Sequence, residues 1–244
     1  MQSYVFNYSQ YKKKIHKKSK LSFVFLFLLI IVLLSTALFL WPKNLGYNEF
    51  YFVEIDSFLN YKEASSLALE VQEKGASGYI YFDGKYKVLA SCYKTEEEAK
   101  SVVKNLTNEY KNATVLKLST LKEITASELN NNEKNAVNSL KNSTFDAIFE
   151  ILELILQFDK NEIQLEHFKL ELKKQTKSVD ESYNNFVGLT KNDAKKNVSK
   201  KYASNIHTSL LSLSSVLSKN NSSSKLKFEL TNVIVNYCSF VESF

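Results

Sequence analysis

Hydrophobic and polar positions along this chain follow three patterns in turn. From Leu21 to Trp41 the run LSFVFLFLLIIVLLSTALFLW has no charge and only three hydroxyls. As a helix at ~1.5 Å per residue it is long enough to cross the ~30 Å hydrocarbon core of a bilayer. Trp41 stands at its far edge, where an amphipathic ring is favoured, and Pro42 ends it. From about residue 49 to 118 short period-two stretches alternate with short helical stripes. After Leu118 only helical spacing remains, with Gly188 and no Pro to interrupt it.

The middle region reads β-α-β-β-α-β. Glu49 to Ile55 is aromatic and β-branched and predicts a strand. Asn60 followed by Tyr-Lys-Glu63 is an N-cap signature, and Ala64, Leu67, Ala68 and Val71 give the helix its apolar stripe. Gly75 stands where a left-handed C-cap belongs. Tyr79 to Phe82 and Tyr86 to Ala90 are strands joined by the hairpin signal Asp83-Gly84. Thr95-Glu-Glu-Glu98 is a capping box for a helix striped by Ala99, Val102, Val103 and Leu106, and Thr114 to Leu118 closes with a fourth strand. This order predicts a four-stranded antiparallel sheet with both helices on one face. Alternation turns Tyr51, Val53, Ile55, Ile80, Phe82, Tyr86, Val88 and Ala90 towards those helices. It leaves Phe52, Glu54, Tyr79, Tyr81, Lys87 and Leu89 on the opposite face. Alternation in the last strand is ambiguous.

The remaining stretch predicts helices alone. Thr125-Ala-Ser-Glu128 is a further capping box, and Asn130-Asn131-Asn132 is expected to break that short start. Phe145 to Phe158 is the most apolar helix outside the N-terminal segment, yet too short and too interrupted by Asp146, Glu150 and Glu153 to cross a membrane. Stripes then run from Leu165 to Phe186, from an Asn192-Asp193 cap through Val198 to Leu217, and, past a polar loop at Asn220 to Ser224, from Leu226 to Val241. Short connections favour an up-down bundle of about four helices, with an oligomerising coiled-coil pair as the alternative. The fold class expected is therefore α+β. It comprises a basic tail at residues 1–20, a single transmembrane helix at 21–41, a βαββαβ domain at 49–118 and a separate all-α bundle at 120–244.

Charge fixes the expected topology. The chain carries 32 Lys+Arg, all of them Lys, against 26 Asp+Glu. Six lysines (Lys12, Lys13, Lys14, Lys17, Lys18, Lys20) precede the apolar run, with no acid among them, and account for the whole excess. The positive-inside rule then places the N-terminus in the cytoplasm and residues beyond Pro42 outside a cell membrane crossed once. A cleaved signal peptide would have a shorter apolar core followed by small residues, and this run ends in Leu-Phe-Leu-Trp-Pro. The neutral remainder argues against a nucleic-acid partner, and the absence of Arg removes the usual bidentate clamp for carboxylates and phosphates. Cys92 and Cys238, the only cysteines, can pair outside the cell or stay as unpaired, half-buried thiols.

The middle region resembles SPOR domains, the sporulation-related repeat. Tyr51-Phe-Val-Glu-Ile-Asp-Ser-Phe58 is similar to the family's opening strand, and Lys62-Glu-Ala64, Gly75, Asp83-Gly84, Tyr86-Lys-Val88 and Glu97-Glu-Ala99 follow in its order and spacing. The resemblance spans about residues 49–118. It implies a fold like an RNA-recognition module and binding of peptidoglycan glycan strands stripped of stem peptides, as at division or sporulation septa. The glycan-binding residues it implies are Phe52, Glu54, Tyr79, Tyr81, Lys87 and Leu89, with Ser57 at the strand end. Departures fall at Glu54, where the family has Gln, at Asp56, where it has Gly, at Lys87, where it has Arg, and at Ser91-Cys92, where it has Gly-Pro. Glu keeps an acceptor but loses the amide donors, and Lys87 opposite it could neutralise its charge.

No motif for catalysis, metal or cofactor emerges. His16, His167 and His207 do not form a ligand set, Glu166-His167 alone is no zinc motif, and neither a nucleophile elbow nor a phosphate-binding loop occurs. Two functions of different class remain. One is a membrane-anchored module that localises to denuded septal glycan. The other is a cell-envelope scaffold whose helical bundle docks a membrane-protein partner and whose sheet has lost glycan binding. An open sheet face favours the first and a face covered by the bundle favours the second.

Overall fold

The computed structural model describes residues 47–121, 124, 128–191, 193–219 and 222–244. The basic tail and the apolar Leu21–Trp41 segment lie outside these residues. So do Thr125 to Ser127 of the expected capping box, Asn192, and Asn220-Asn221 of the expected loop.

The sheet is built from β1 (Tyr47–Phe58), β2 (Tyr79–Phe82), β3 (Tyr86–Tyr93) and β4 (Thr114–Leu121) in the order β2-β3-β1-β4, every neighbouring pair antiparallel. Between the strands run α1 (Tyr61–Glu73) and α2 (Glu96–Leu106). Asn60 caps α1 by accepting from the Lys62 amide, and Thr95 and Glu98 close a reciprocal box on α2. Gly75, at φ 88°, ends α1, with its own amide and that of Ala76 donating back into the last turn. Both helices cover one face of the sheet, where Val53, Ile55, Val88 and Ala90 pack on Ala64, Ala68, Val71 and Ala99.

Four long helices follow: α3 (Asn131–Asp159), α4 (Leu165–Thr190), α5 (Asn197–Lys219, preceded by a single 3-10 turn) and α6 (Ser223–Glu242). Each packs on the next, and α6 closes back on α3. The asparagine triplet does not break a helix. Asn130 is the N-cap of α3, in a capping box with Glu133, and the helix runs unbroken into the apolar Phe145–Phe158 stretch. Asn161, in left-handed conformation at φ 58°, turns the chain after α3, with the Glu162 amide donating to the Gln157 carbonyl.

The expected fold class is corrected in its main division. Tyr47 to Phe244 form one compact, mostly helical unit, not an αβ domain followed by a separate bundle. Among the described residues no helix is long and apolar enough to cross a membrane. The physical reason for the union lies on the sheet face away from α1 and α2. Phe50, Phe52, Leu89 and Cys92 there share one core with α3 and α6, joined by half-buried Leu116 and Leu118. Exposing a side chain of the Phe or Leu class costs about 1.5–3 kcal/mol each, which an isolated small sheet domain could not sustain. An aromatic cluster marks the junction. Phe50 stacks on Phe149 at 5.7 Å and meets Phe145 and Tyr237 edge-on at 5.9 and 5.8 Å.

Polar contacts fix the register of this union. Asn48 donates to the Tyr237 hydroxyl at 2.8 Å, both side chains being buried. The loop from α1 to β2 is held by α6: Ser224 donates to the Ala76 carbonyl at 2.7 Å, and Lys227 to the Gly75 carbonyl at 3.0 Å while pairing with Asp159 at 2.6 Å. Gly78 in that loop has φ 60°, and a Cβ there would sit 2.4 Å from the Ala68 carbonyl oxygen. Gly78→Ala should therefore destabilise the unit by about 2–3 kcal/mol in urea unfolding. Gly75→Ala, with open space around its Cβ position, should cost about 1–2 kcal/mol from backbone strain alone. Equal losses at the two positions would contradict this account.

Candidate functional site

β1, which carries three of the seven expected glycan contacts, pairs with β3 through two bulges that flank Glu54. In β3, Ala90 is an extra residue opposite the step from Val53 to Glu54, and in β1 Ile55 is an extra residue opposite the step from Leu89 to Val88. Each bulge shifts the alternation by one residue. The first turns Cys92 away from α1 and α2 and into the core shared with the bundle. The second places Ser57 opposite Lys87 and brings Phe58 onto the side of α1 and α2.

Sequence alternation divides the two faces correctly, but the face opposite α1 and α2 is closed. Phe52 and Leu89 have no exposed surface, and Glu54 is 7% exposed. Tyr79 and Tyr81 are half-buried against the same core. Tyr79 donates to Asn232 Oδ1 at 3.2 Å, and its ring tilts onto Phe228 at 5.3 Å. Ser57 and Lys87 are half-buried too, at the end of the face nearest the β2–β3 hairpin. The expectation of an open, half-solvated sheet face is thus overturned: α3 and α6 occupy the space a sugar chain would need. Phe82 departs in the other direction. Expected beneath α1 and α2, it is 59% exposed and leans on Tyr86 at 4.8 Å.

The charged pair survives within the covered face. Lys87 Nζ lies 2.8 Å from Asp83 and 3.7 Å from Glu54, so one ammonium serves two carboxylates. Burial pushes the Glu54 carboxyl above the usual carboxylate range, with Lys87 opposing that shift. The hydrogen bond that Lys87 donates to Asp83 raises the Lys87 ammonium, against the effect of its own burial. Burial likewise raises the Tyr79 and Tyr81 hydroxyls. The two cysteines are free and buried; burial pushes the Cys92 thiol up to about 12 and Cys238 higher than its usual value. Thiols so far from ionising are core side chains.

Elsewhere the chemistry is sparse. His167 is exposed on α4. His207 is half-buried between α4 and α5, stacked on Tyr183 at 4.4 Å with Nε2 at 2.7 Å from Asp180. Among the described residues no cluster of three or more His, Cys, Asp or Glu side chains is placed to hold a metal ion.

One cleft of about 440 Å³ opens beside β2, the edge strand of the sheet. Tyr61 and Leu69 of α1 form one wall, Phe228 and Asn232 of α6 the other, and Tyr79 and Ile80 lie along its base. Sequence reasoning found Tyr79 but none of the others. Leu69, an apolar residue that lies off the Ala64–Ala68–Val71 stripe, was the available signal. The α6 wall depends on a long-range packing that periodicity does not report. Comparison with models of known protein families, with curated proteins and with solved structures finds no match to this chain.

The covered carboxyl yields a signed prediction. A carboxyl whose folded pKa is raised binds its proton more tightly folded than unfolded. The stability it forfeits at neutral pH returns as pH falls through the raised value to the ordinary 4.5 of the unfolded chain. Lys87 keeps Asp83 when Glu54 is replaced. Glu54→Gln should therefore raise the urea midpoint at pH 7, and the advantage should shrink on acidification until it levels below about pH 4. A variant less stable than wild type at pH 7 would show that the Glu54–Lys87 attraction outweighs desolvation.

Proposed function

We propose that this protein is an interaction scaffold of the cell envelope, attached to the membrane through its uncharged N-terminal segment, and that its sheet does not read glycan. The observation that carries this reading is the complete burial of Phe52 and Leu89 beneath the helices. Recognition of a sugar ring needs a reachable flat apolar surface with hydrogen-bonding side chains beside it. Here the flat surface is the floor of a packed core, and the nearest polar groups are already engaged with one another. On this reading the likeness to SPOR domains extends to the register of strands and helices and stops short of the ligand face. The lysine cluster before Leu21 and the uncharged run to Trp41 support attachment with residues beyond Pro42 outside the cell. Leu170, Leu189, Val198 and Leu211 are exposed apolar side chains on α4 and α5, the helical half through which a partner would dock.

The test is co-sedimentation of the full chain, in detergent, with purified glycan strands that carry or lack stem peptides. The expected result is no retention on either above a carrier control. Retention on denuded strands that Lys87→Glu weakens would return the sheet face to glycan binding and overturn the scaffold reading.

A further inference from the structure

We infer that the cleft beside β2 is a docking slot for one extended peptide strand with uncharged side chains, which adds to the sheet as a fifth strand. The inference rests on the scaffold reading and names the site and the chemistry of its partner. Three observations carry it.

First, β2 is a short edge of four residues that carries no charge. It pairs only with β3, so the backbone groups on its outer side have no partner strand. Edge strands are commonly protected by lysine, proline or a bulge. The β2 sequence Tyr-Ile-Tyr-Phe has none of these, whereas the opposite edge, β4, carries Lys117. An outer row of amides and carbonyls calls for another backbone, because backbone hydrogen bonds supply the affinity in strand addition.

Second, the cleft straddles that edge. Its α1 wall stands over one face of the sheet and its α6 wall over the other. A strand laid along β2 would be sandwiched between them. Alternate side chains would meet Leu69 and Tyr61 on one side and Phe228 on the other. A second copy of this chain, presenting its own β2, would bring its own α1 and α6 against these walls, so a lone strand fits where a folded edge does not.

Third, no residue lining the cleft is charged. A charged side chain laid there would find no countercharge among the lining residues. Apolar side chains would instead cover Leu69 and Tyr61, which are 61% and 57% exposed. The volume lies within the range of ligand sites; Tyr79 and Ile80 of the four-residue β2 line the cleft, and Tyr81 and Phe82 continue the edge beyond it.

The test selects displayed random nonapeptides on the immobilised full chain in detergent and measures binding of synthetic copies by fluorescence anisotropy. The expected winners have an uncharged central stretch of about four residues. Leu69→Arg, at an exposed position, should weaken them at least tenfold without moving the thermal transition. Hydrogen exchange provides a second measure independent of any variant: peptide binding should slow amide exchange in residues 79–82. Failure to enrich any peptide over a chain-free surface would overturn the inference, as would enriched peptides that bind the arginine variant equally or leave exchange in 79–82 unchanged. These results are separable from those of the scaffold reading. Retention on denuded glycan that Lys87→Glu weakens overturns that reading whatever the peptides do. Absence of both glycan and peptide binding leaves a scaffold that works through another surface.

Discussion

A small antiparallel sheet with two apolar faces cannot stand alone in water, and the rest of this structure follows from that constraint. One face is satisfied locally, by α1 and α2, whose stripes lie within a few residues of the strands they cover. The other carries Phe50, Phe52 and Leu89, with Leu116 and Leu118 at its margin, and has to be satisfied from a distance. The long apolar α3 and the C-terminal α6 supply that cover, so the last helix of the chain packs against strands more than a hundred residues earlier. Sheet and bundle therefore belong to one cooperative unit, and neither is expected to keep its core without the other.

Apolar contact alone would not fix how α6 lies on the sheet, since it is non-directional. Direction comes from buried and half-buried polar pairs at both ends of the contact. Asn48 with Tyr237 pins one end; Ser224 and Lys227, on the carbonyls of the α1–β2 loop, pin the other. Each neutral pair contributes only ~0.5–1.5 kcal/mol when made, but leaving a buried partner unpaired costs ~1–3 kcal/mol. The penalty for misalignment thus exceeds the reward for alignment. Between α5 and α6 a chain of side-chain amides does the same: Asn205 donates to Asn236, Asn236 to Asn232, and Asn232 to Ser209.

Local structure was readable from the sequence because its causes are local. The capping box at Thr95, the left-handed Gly75 and the helical stripes each depend on residues within one or two turns. The two sheet faces were also readable, up to the bulges at Ala90 and Ile55, which no alternation pattern announces and which redirect Cys92 and Phe58. What failed was the inference from face to exposure. Phe52 and Leu89 can lie on a ligand platform or under another layer, and the two cases share one periodicity. The warning was the number of apolar residues on that face, together with the apolar Phe145–Phe158 stretch of α3. The asparagine triplet failed differently: Asn130 is a cap as readily as it is a breaker, and Glu133 three residues later decides for the cap.

The same packing that closes the sheet face explains why chemistry collects at its edge. Once α6 lies across β1 and β3, the polar groups of the covered face must pair among themselves. Lys87 is drawn between Asp83 and Glu54, and Tyr79 is drawn to Asn232. These groups are spent on holding the layers together and are no longer available to a ligand. The sheet, however, ends at β2, while α1 and α6 continue on either side of it, and the outward backbone of that strand gains no partner from the fold itself. A layer that covers a face cannot also satisfy an edge, because helices present no backbone donors or acceptors along their sides. Among the described residues, the cleft beside β2 thus brings together an unpaired strand edge and two helical walls that flank it without pairing to it.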